Sequence, residues 1–281
     1  MLEITKLNNI TGVSEGGSVS LSLPIGRTYE KVHFQIENVA STEIKNIRVE
    51  LNGRLLTEWS TLADMLEENA YFKRKQLDGY ATMYFTRPEV EGIVNPSLVA
   101  QRFFALGTQG LSIVQIKFDI GVAEKDQQQN PKTPVVAAFA EKTRGSAPGW
   151  LFKRRVFRYN LNTGINEIEN LPRPSGSQIA LIEIKKTGNS SVLIKDAEFL
   201  VNNVKWREAI PKSLHNHIID QRGRAPQGET FAIDLSLSGD VFSSLVLDPS
   251  ISDMRLRVNC EGSGGAEVIV HYFDDYKKST F

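Results

Sequence analysis

A chain of 281 residues, 41% of them hydrophobic, supplies material for one large or two ordinary cores. Its 33 basic and 33 acidic side chains cancel, so no overall field draws it to nucleic acid or to an anionic membrane, and any such contact is local. A single cysteine, Cys260, excludes an internal disulfide framework and a cysteine-based zinc site. The start "MLEITKLNN" lacks a basic stretch leading into an apolar run, and nowhere do about eighteen apolar residues stand together, which reads as a soluble protein made in the cytoplasm.

In chain order, "LNNITG" (7–12) is followed by "SVSLSLPIG" (18–26), an alternating strand ending at Leu23-Pro24. In "IKNIRVELNGRLL" (44–56), Ile47, Val49 and Leu51 alternate with Asn46, Arg48 and Glu50, and Asn52-Gly53 supplies the positive φ angles of a tight hairpin turn. "STLADMLEENAYFKRKQ" then predicts a helix, with Thr61 as N-cap, Asp64 three residues on, and Leu62, Met65, Leu66 and Phe72 at helical spacing. Strands "GYATMYF" and "LSIVQIKFDI" follow. "EKDQQQNPKTP" (124–134) reads as a long exposed loop, and "VVAAFAE" as a further strand.

After the small, flexible seam "TRGSAPG" (143–149) the same order returns. "NLNTG" faces "LNNITG", and "IENLPRPSG", with Leu171-Pro172, faces the first Leu-Pro strand. "IKDAEFLVNNVKW" (194–206) repeats the hairpin around Asn202-Asn203. "WREAIPKSLHNHIIDQ" repeats the helix, with Pro211 in its first turn and Leu214 and Ile218 as an i, i+4 apolar pair. "ETFAIDLSL", "ISDMRLRVNC" and "AEVIVHYF" complete the set. The expectation is an all-β chain with short helices, folded as two tandem domains over 1–146 and 147–281. Each domain has seven or eight short strands and one helix, in a sandwich or jelly roll. No run of helices interleaves the strands, which disfavours a parallel α/β sheet.

Constellations that carry chemistry are scarce. There is no G-x-S-x-G elbow, P-loop, H-E-x-x-H or calcium-loop spacing. His215 to His217 read as polar residues on the exposed face of the second helix, and His33 and His271 as structural histidines in strands. Asp274-Asp275, Glu67-Glu68 and Asp119 carry oxygens suited to a hard cation, but solvated carboxylates are the plainer reading, and no metal or catalytic residue is assigned. In "WLFKRRVFRYN" (150–160), Lys153, Arg154, Arg155 and Arg158 stand among Trp150, Phe152, Phe157 and Tyr159, a pattern compatible with lipid or single-stranded nucleic acid. A first strand of the second half, with aromatics in the core and arginines in ion pairs, is the favoured reading.

Taken in order, "LPIGRTYE", "IKNIRVELNGRLL", "RPEVEG" (87–92), "QRFFALGT" (101–108), "IKFDI", "GSAPGWL", "LPRP", "KWR" and "GDVFSSLVLD" (239–248) resemble the major capsid protein of corticoviruses, tailless marine bacteriophages with an internal membrane. The resemblance spans nearly the whole chain. It implies a double jelly roll, a homotrimer with pseudo-sixfold outline that tiles an icosahedral shell, and calcium that stabilises the shell. It also implies a vertex (penton) protein and inner membrane proteins as partners, with no specific nucleic acid. On this view Lys153, Arg154, Arg155 and Arg158 open the second half on the inner face, as candidates for contact with anionic lipid headgroups. The Gln127 to Gln129 loop, residues 213–228 and the tail "DDYKKSTF" depart from the pattern.

Two other classes fit a duplicated β chain. One is a secreted tandem β-sandwich carbohydrate-binding protein using Trp59, Trp150 and Trp206 as platforms. The other is a glycoside hydrolase, which requires two carboxylates facing across a cleft.

Overall fold

The computed structural model describes residues 1–90, 102–188, 190–239 and 243–277. Glu91, Gly92, Gln101 and residues 240–242 of the motifs quoted above, and residues 278–281 of the tail, lie outside the described residues. The chain divides into two compact units, Met1–Ala70 with Arg74–Arg154, and Tyr71–Lys73 with Arg155–Phe281.

The first unit contains β1 (Glu3–Leu7), β2 (Ile10–Thr11), β3 (Ser18–Ser22), β4 (Arg27–Glu37), β5 (Ile44–Leu51), β6 (Arg54–Thr61), most of α1 (Leu62–Tyr71), β7 (Tyr80–Tyr84), β8 (Leu106–Gly107), β9 (Val114–Ile120) and β10 (Val135–Arg144). One sheet runs β1-β10-β4-β7 with β8 also on β4, and the other runs β6-β5-β9-β3-β2. Their inner faces follow from the period-two pattern. Val32 and Phe34 of β4, Ala138 and Ala140 of β10 and Met83 of β7 are buried, as are Val19, Leu21, Val49, Ile116 and Phe118 of the second sheet. Phe34 meets Phe118 edge to face at 5.9 Å, joining the two layers.

Strand β11 (Trp150–Leu161) begins in the first unit, where Arg154 pairs in parallel with Thr57 of β6, and continues into the second. The second unit adds β12 (Gly164–Ile168), β13 (Gln178–Lys186), β14 (Leu193–Val201), β15 (Val204–Arg207), α2 (Lys212–Gln221), β16 (Thr230–Asp234), β17 (Leu245–Val246), β18 (Met254–Glu261) and β19 (Gly264–Asp275). Its sheets run β11-β19-β13-β16, with β17 on β13, and β12-β18-β14-β15. Apart from β2, which has no counterpart, this is the strand order of the first unit, with β11 in the place of β1. The duplicated hairpins, helices and Leu-Pro segments read from the sequence are thus one antiparallel two-sheet topology, built twice: a double jelly roll. Ile182, Ile184, Phe199, Phe231, Leu256, Val258 and Val270 centre the core of this unit.

The local signals act as expected at the first helix. The Asp64 backbone N–H reaches the Thr61 hydroxyl at 3.2 Å while the Thr61 N–H donates to the Asp64 carboxylate at 2.8 Å, a reciprocal cap. The second helix starts after Pro211, which stands just outside it rather than in its first turn. Its inward face is also different from the expected one. His215 and Ile219 are buried, whereas Leu214 and Ile218 face solvent. His215 turns in because its Nε2 donates to the Ala232 carbonyl at 2.7 Å and its ring stacks on Phe231 at 4.3 Å. Both helices have ten residues, and no described helix is long and apolar enough to cross a membrane.

Candidate functional site

The basic segment of β11 is the surface that the sequence singles out. Lys153, Arg154 and Arg155 are buried in succession, on both faces of the strand, and of the four Arg158 alone presents its charge to solvent, 68% of its side chain being exposed. Arg158 Nη2 lies 3.2 Å from Glu267. Arg154 Nη1 donates to the Glu58 carbonyl at 2.6 Å, its Nε stands 3.4 Å from Glu68, and its guanidinium sits 5.8 Å from the Trp59 ring. Arg155 lies near Tyr272, whose hydroxyl is raised by burial against the pull of that charge. An exposed patch of four cations is therefore not what the strand presents. Three of the four charges lie in the interior, and for Arg154 the Glu58 carbonyl, Glu68 and the Trp59 ring compensate its desolvation.

The partners of Arg154 belong to a buried ionic cluster in the first unit. Glu68, on α1, accepts from Trp59 Nε1 at 2.8 Å and from Arg74 at 3.4 Å. Arg74 also grips Glu89 with two bonds, of 2.9 and 3.2 Å, and Arg87 lies 2.6 Å from the same carboxylate while stacking 3.7 Å over Phe152. Burial works against the Glu89 charge, yet Arg74 and Arg87 hold its carboxyl down to about 2. Arg74 is pushed the other way: burial opposes its charge, but Glu89 and Glu68 raise it above its ordinary value. The side chains of Glu68, Arg74, Arg87 and Glu89 are all buried, so the cluster serves to hold strands in place.

The remaining candidates are structural as well. His33 bridges Thr82 and Glu141, at 2.9 Å to each, and His271 is buried 2.7 Å from Glu183. Asp119 accepts from Ser18 and Asn46, which lower its pKa through side-chain hydrogen bonds. Glu68 and Asp274 are buried. Among the described residues no three His, Cys, Asp or Glu side chains gather closely enough to hold a metal ion. Trp59 is buried, Trp150 stacks on Phe103 at 6.4 Å, and Trp206 is exposed.

The model of the viral coat protein P2 N-terminal domain matches residues 4–143, and that of the P2 C-terminal domain matches residues 152–276. Major capsid protein P2 of Pseudoalteromonas phage PM2 is 42% identical over 281 residues, covering 100% of both chains. The crystal structure of that protein from bacteriophage PM2 superposes with a TM-score of 0.90 over 98% of each chain. At 9% identity the fold alone is shared with the PBCV-1 virus capsid (TM-score 0.66, 97% of this chain and 93% of that one). It is shared likewise with the STIV capsid protein (TM-score 0.66, 97% and 96%). Matched end to end by both domain models and by a full-length relative, the chain belongs to the viral coat protein P2 family.

Proposed function

We propose that this chain is the major capsid protein of a phage similar to PM2, acting by burial and geometry rather than by catalysis. The observation that carries the reading is the 42% identity to the PM2 coat protein across the whole length, in the same double jelly roll.

Duplication suits a fold to tiling. Three copies of a two-barrel chain make a homotrimer with six similar edges of two kinds, which can occupy hexagonal positions of an icosahedral shell. Contacts inside the trimer are large and apolar, and those between trimers smaller and more polar. A penton protein meets the coat at the vertices, and inner membrane proteins and anionic lipid lie beneath it. The protein is made and assembled in the cytoplasm of a bacterial host. Arg158 is the member of the β11 basic segment able to reach a headgroup, since Lys153, Arg154 and Arg155 are buried. No cofactor is required for this role, and structural calcium, which the family resemblance implies, belongs to the same reading with no ligand residues assigned. No observation favours the carbohydrate-binding alternative, in which buried Trp59 and stacked Trp150 would have to serve as open platforms.

Light scattering of the purified chain, with and without calcium, tests the reading. Three times the chain mass, stable to dilution, is the expected result. A monomer persisting at high concentration with calcium would overturn it.

A further inference from the structure

The two equivalent helices are unequally covered. α1 buries Leu62, Met65, Glu68 and Asn69, whereas α2 buries His215 and Ile219 and leaves Leu214 and Ile218 at 49% and 37% exposure. Beside α2, within the second unit, opens a cleft of about 510 Å³. Trp206, Ile210, Ile218 and Leu237 form apolar parts of its wall, and Arg207 and Arg222 line it too. Trp206 is 41% exposed.

The charges of this cleft are unbalanced. Arg207 Nη2 donates to the Asp234 main-chain carbonyl at 2.9 Å. The Asp234 carboxylate is occupied by Arg224 at 2.9 Å, Tyr71 at 3.2 Å and the Ser236 N–H and hydroxyl. Among the described residues neither Arg207 nor Arg222 has a carboxylate in ion-pair range. Apolar walls with two uncompensated guanidinium groups match an apolar side chain followed by a carboxylate.

The chain itself carries such a group in its first unit. Leu77 is 66% exposed on a tight turn in which the Tyr80 N–H donates to the Leu77 carbonyl at 3.0 Å. Asp78 beside it is exposed and has no basic partner among the described residues. Glu3, the other carboxylate among the described residues that adjoins large exposed aliphatic side chains, already faces Arg27 at 3.5 Å and Lys142 at 3.9 Å.

We propose that the cleft beside α2 receives the Leu77-Asp78 turn of a second copy of this chain, Leu77 against Trp206 and Ile218 and Asp78 against Arg207 and Arg222. The contact joins unlike surfaces, the heterologous kind that closes into a ring when its rotation allows. It deepens the self-assembly reading and rests on it.

Sedimentation of the full chain over a concentration series tests the contact with Asp78→Arg, Arg222→Glu and the double exchange. Each single reversal should weaken self-association about tenfold or more, and the double exchange should recover most of the loss. Leu77→Ser should weaken association as well, with urea unfolding of all four variants unchanged because the substituted groups are exposed. Association that is unaffected by the single changes, or a double exchange as weak as both losses combined, overturns this contact while leaving self-assembly standing. A wild-type chain that stays monomeric at every concentration overturns both.

Discussion

The side-chain oxygen of Asn52 accepts the backbone N–H groups of both Ser112 and Ile113, at 2.8 and 3.0 Å, and so ties the β5–β6 turn to the loop that enters β9. Asn202 repeats the arrangement in the second unit with Ser252 and Asp253, at 2.9 and 3.1 Å. Both residues hold a left-handed φ, 51° and 49°. Asparagine is thus selected twice over, as a residue tolerant of that conformation and as an acceptor for two otherwise idle donors.

Glycine at either position keeps the conformation and deletes the acceptor. Asn52→Gly and Asn202→Gly should each lose about 1–2 kcal/mol in urea unfolding, and alanine somewhat more, because it adds left-handed strain. Glycine variants as stable as wild type would show that the side-chain bonds contribute nothing.

Arg154 and Arg158 lie four residues apart on one strand and should respond in opposite ways. Arg154→Met removes a buried cation from beside Glu68 and is expected to cost about 3 kcal/mol in denaturant unfolding. Arg158→Ala should change stability by less than about 1 kcal/mol and reduce flotation with anionic vesicles. Unchanged flotation would remove the headgroup role from this segment.

Burial holds His215 below its ordinary 6.5, with Arg207 and Lys212 adding to the shift and the Ala232 carbonyl opposing it. The unfolded chain then takes up the proton first as pH falls. Stability from the neutral ring is complete above 6.5 and is lost as pH drops from 6.5 toward the folded value. Urea midpoints at pH 7.5 and 5.5 should differ more for wild type than for His215→Gln; equal differences would refute the assignment.

Glu89 works in a lower window. Its folded pKa of about 2 lies under the ordinary 4.5, so its contribution is present above 4.5 and disappears as pH falls from there toward 2. Glu89→Gln should be less stable at pH 7 and show a flatter acid limb in a pH series of unfolding curves. A parallel acid limb would mean that other carboxylates govern acid sensitivity.

The Leu-Pro pair that ends a strand in each half has a tertiary role that its sequence does not announce. Tyr29 donates its hydroxyl to the Pro24 carbonyl at 2.7 Å, and Tyr272 donates to the Pro172 carbonyl at 3.0 Å. Burial pushes the Tyr29 hydroxyl up to about 12 and raises that of Tyr272 as well, which keeps both protonated and able to donate at neutral pH. The carbonyls occupy matching places in the repeat, but Tyr29 is on β4 and Tyr272 on β19, so comparison of the two halves could not have paired them.

What the sequence by itself determined was the part of the fold written in near neighbours. Alternation at period two, Asn52-Gly53 and Asn202-Asn203, and the Thr61/Asp64 cap act within a few residues, and their recurrence in one order specified a repeated strand topology. Tertiary structure alone decided which side chains face inward where local pattern and distant partners compete. Leu214 and Ile218 have the spacing of a core stripe, but the Ala232 carbonyl and the Phe231 ring draw His215 in and leave that stripe outside. Lys153, Arg154 and Arg155 have a composition that suits either a basic surface or a strand with ion-paired arginines, and Arg154 is buried because Glu58, Trp59 and Glu68, almost a hundred residues earlier, supply its acceptor and its aromatic neighbour. Backbone periodicity is a property of adjacent residues, whereas the cost of burying a charge depends on partners that only the folded chain brings within reach.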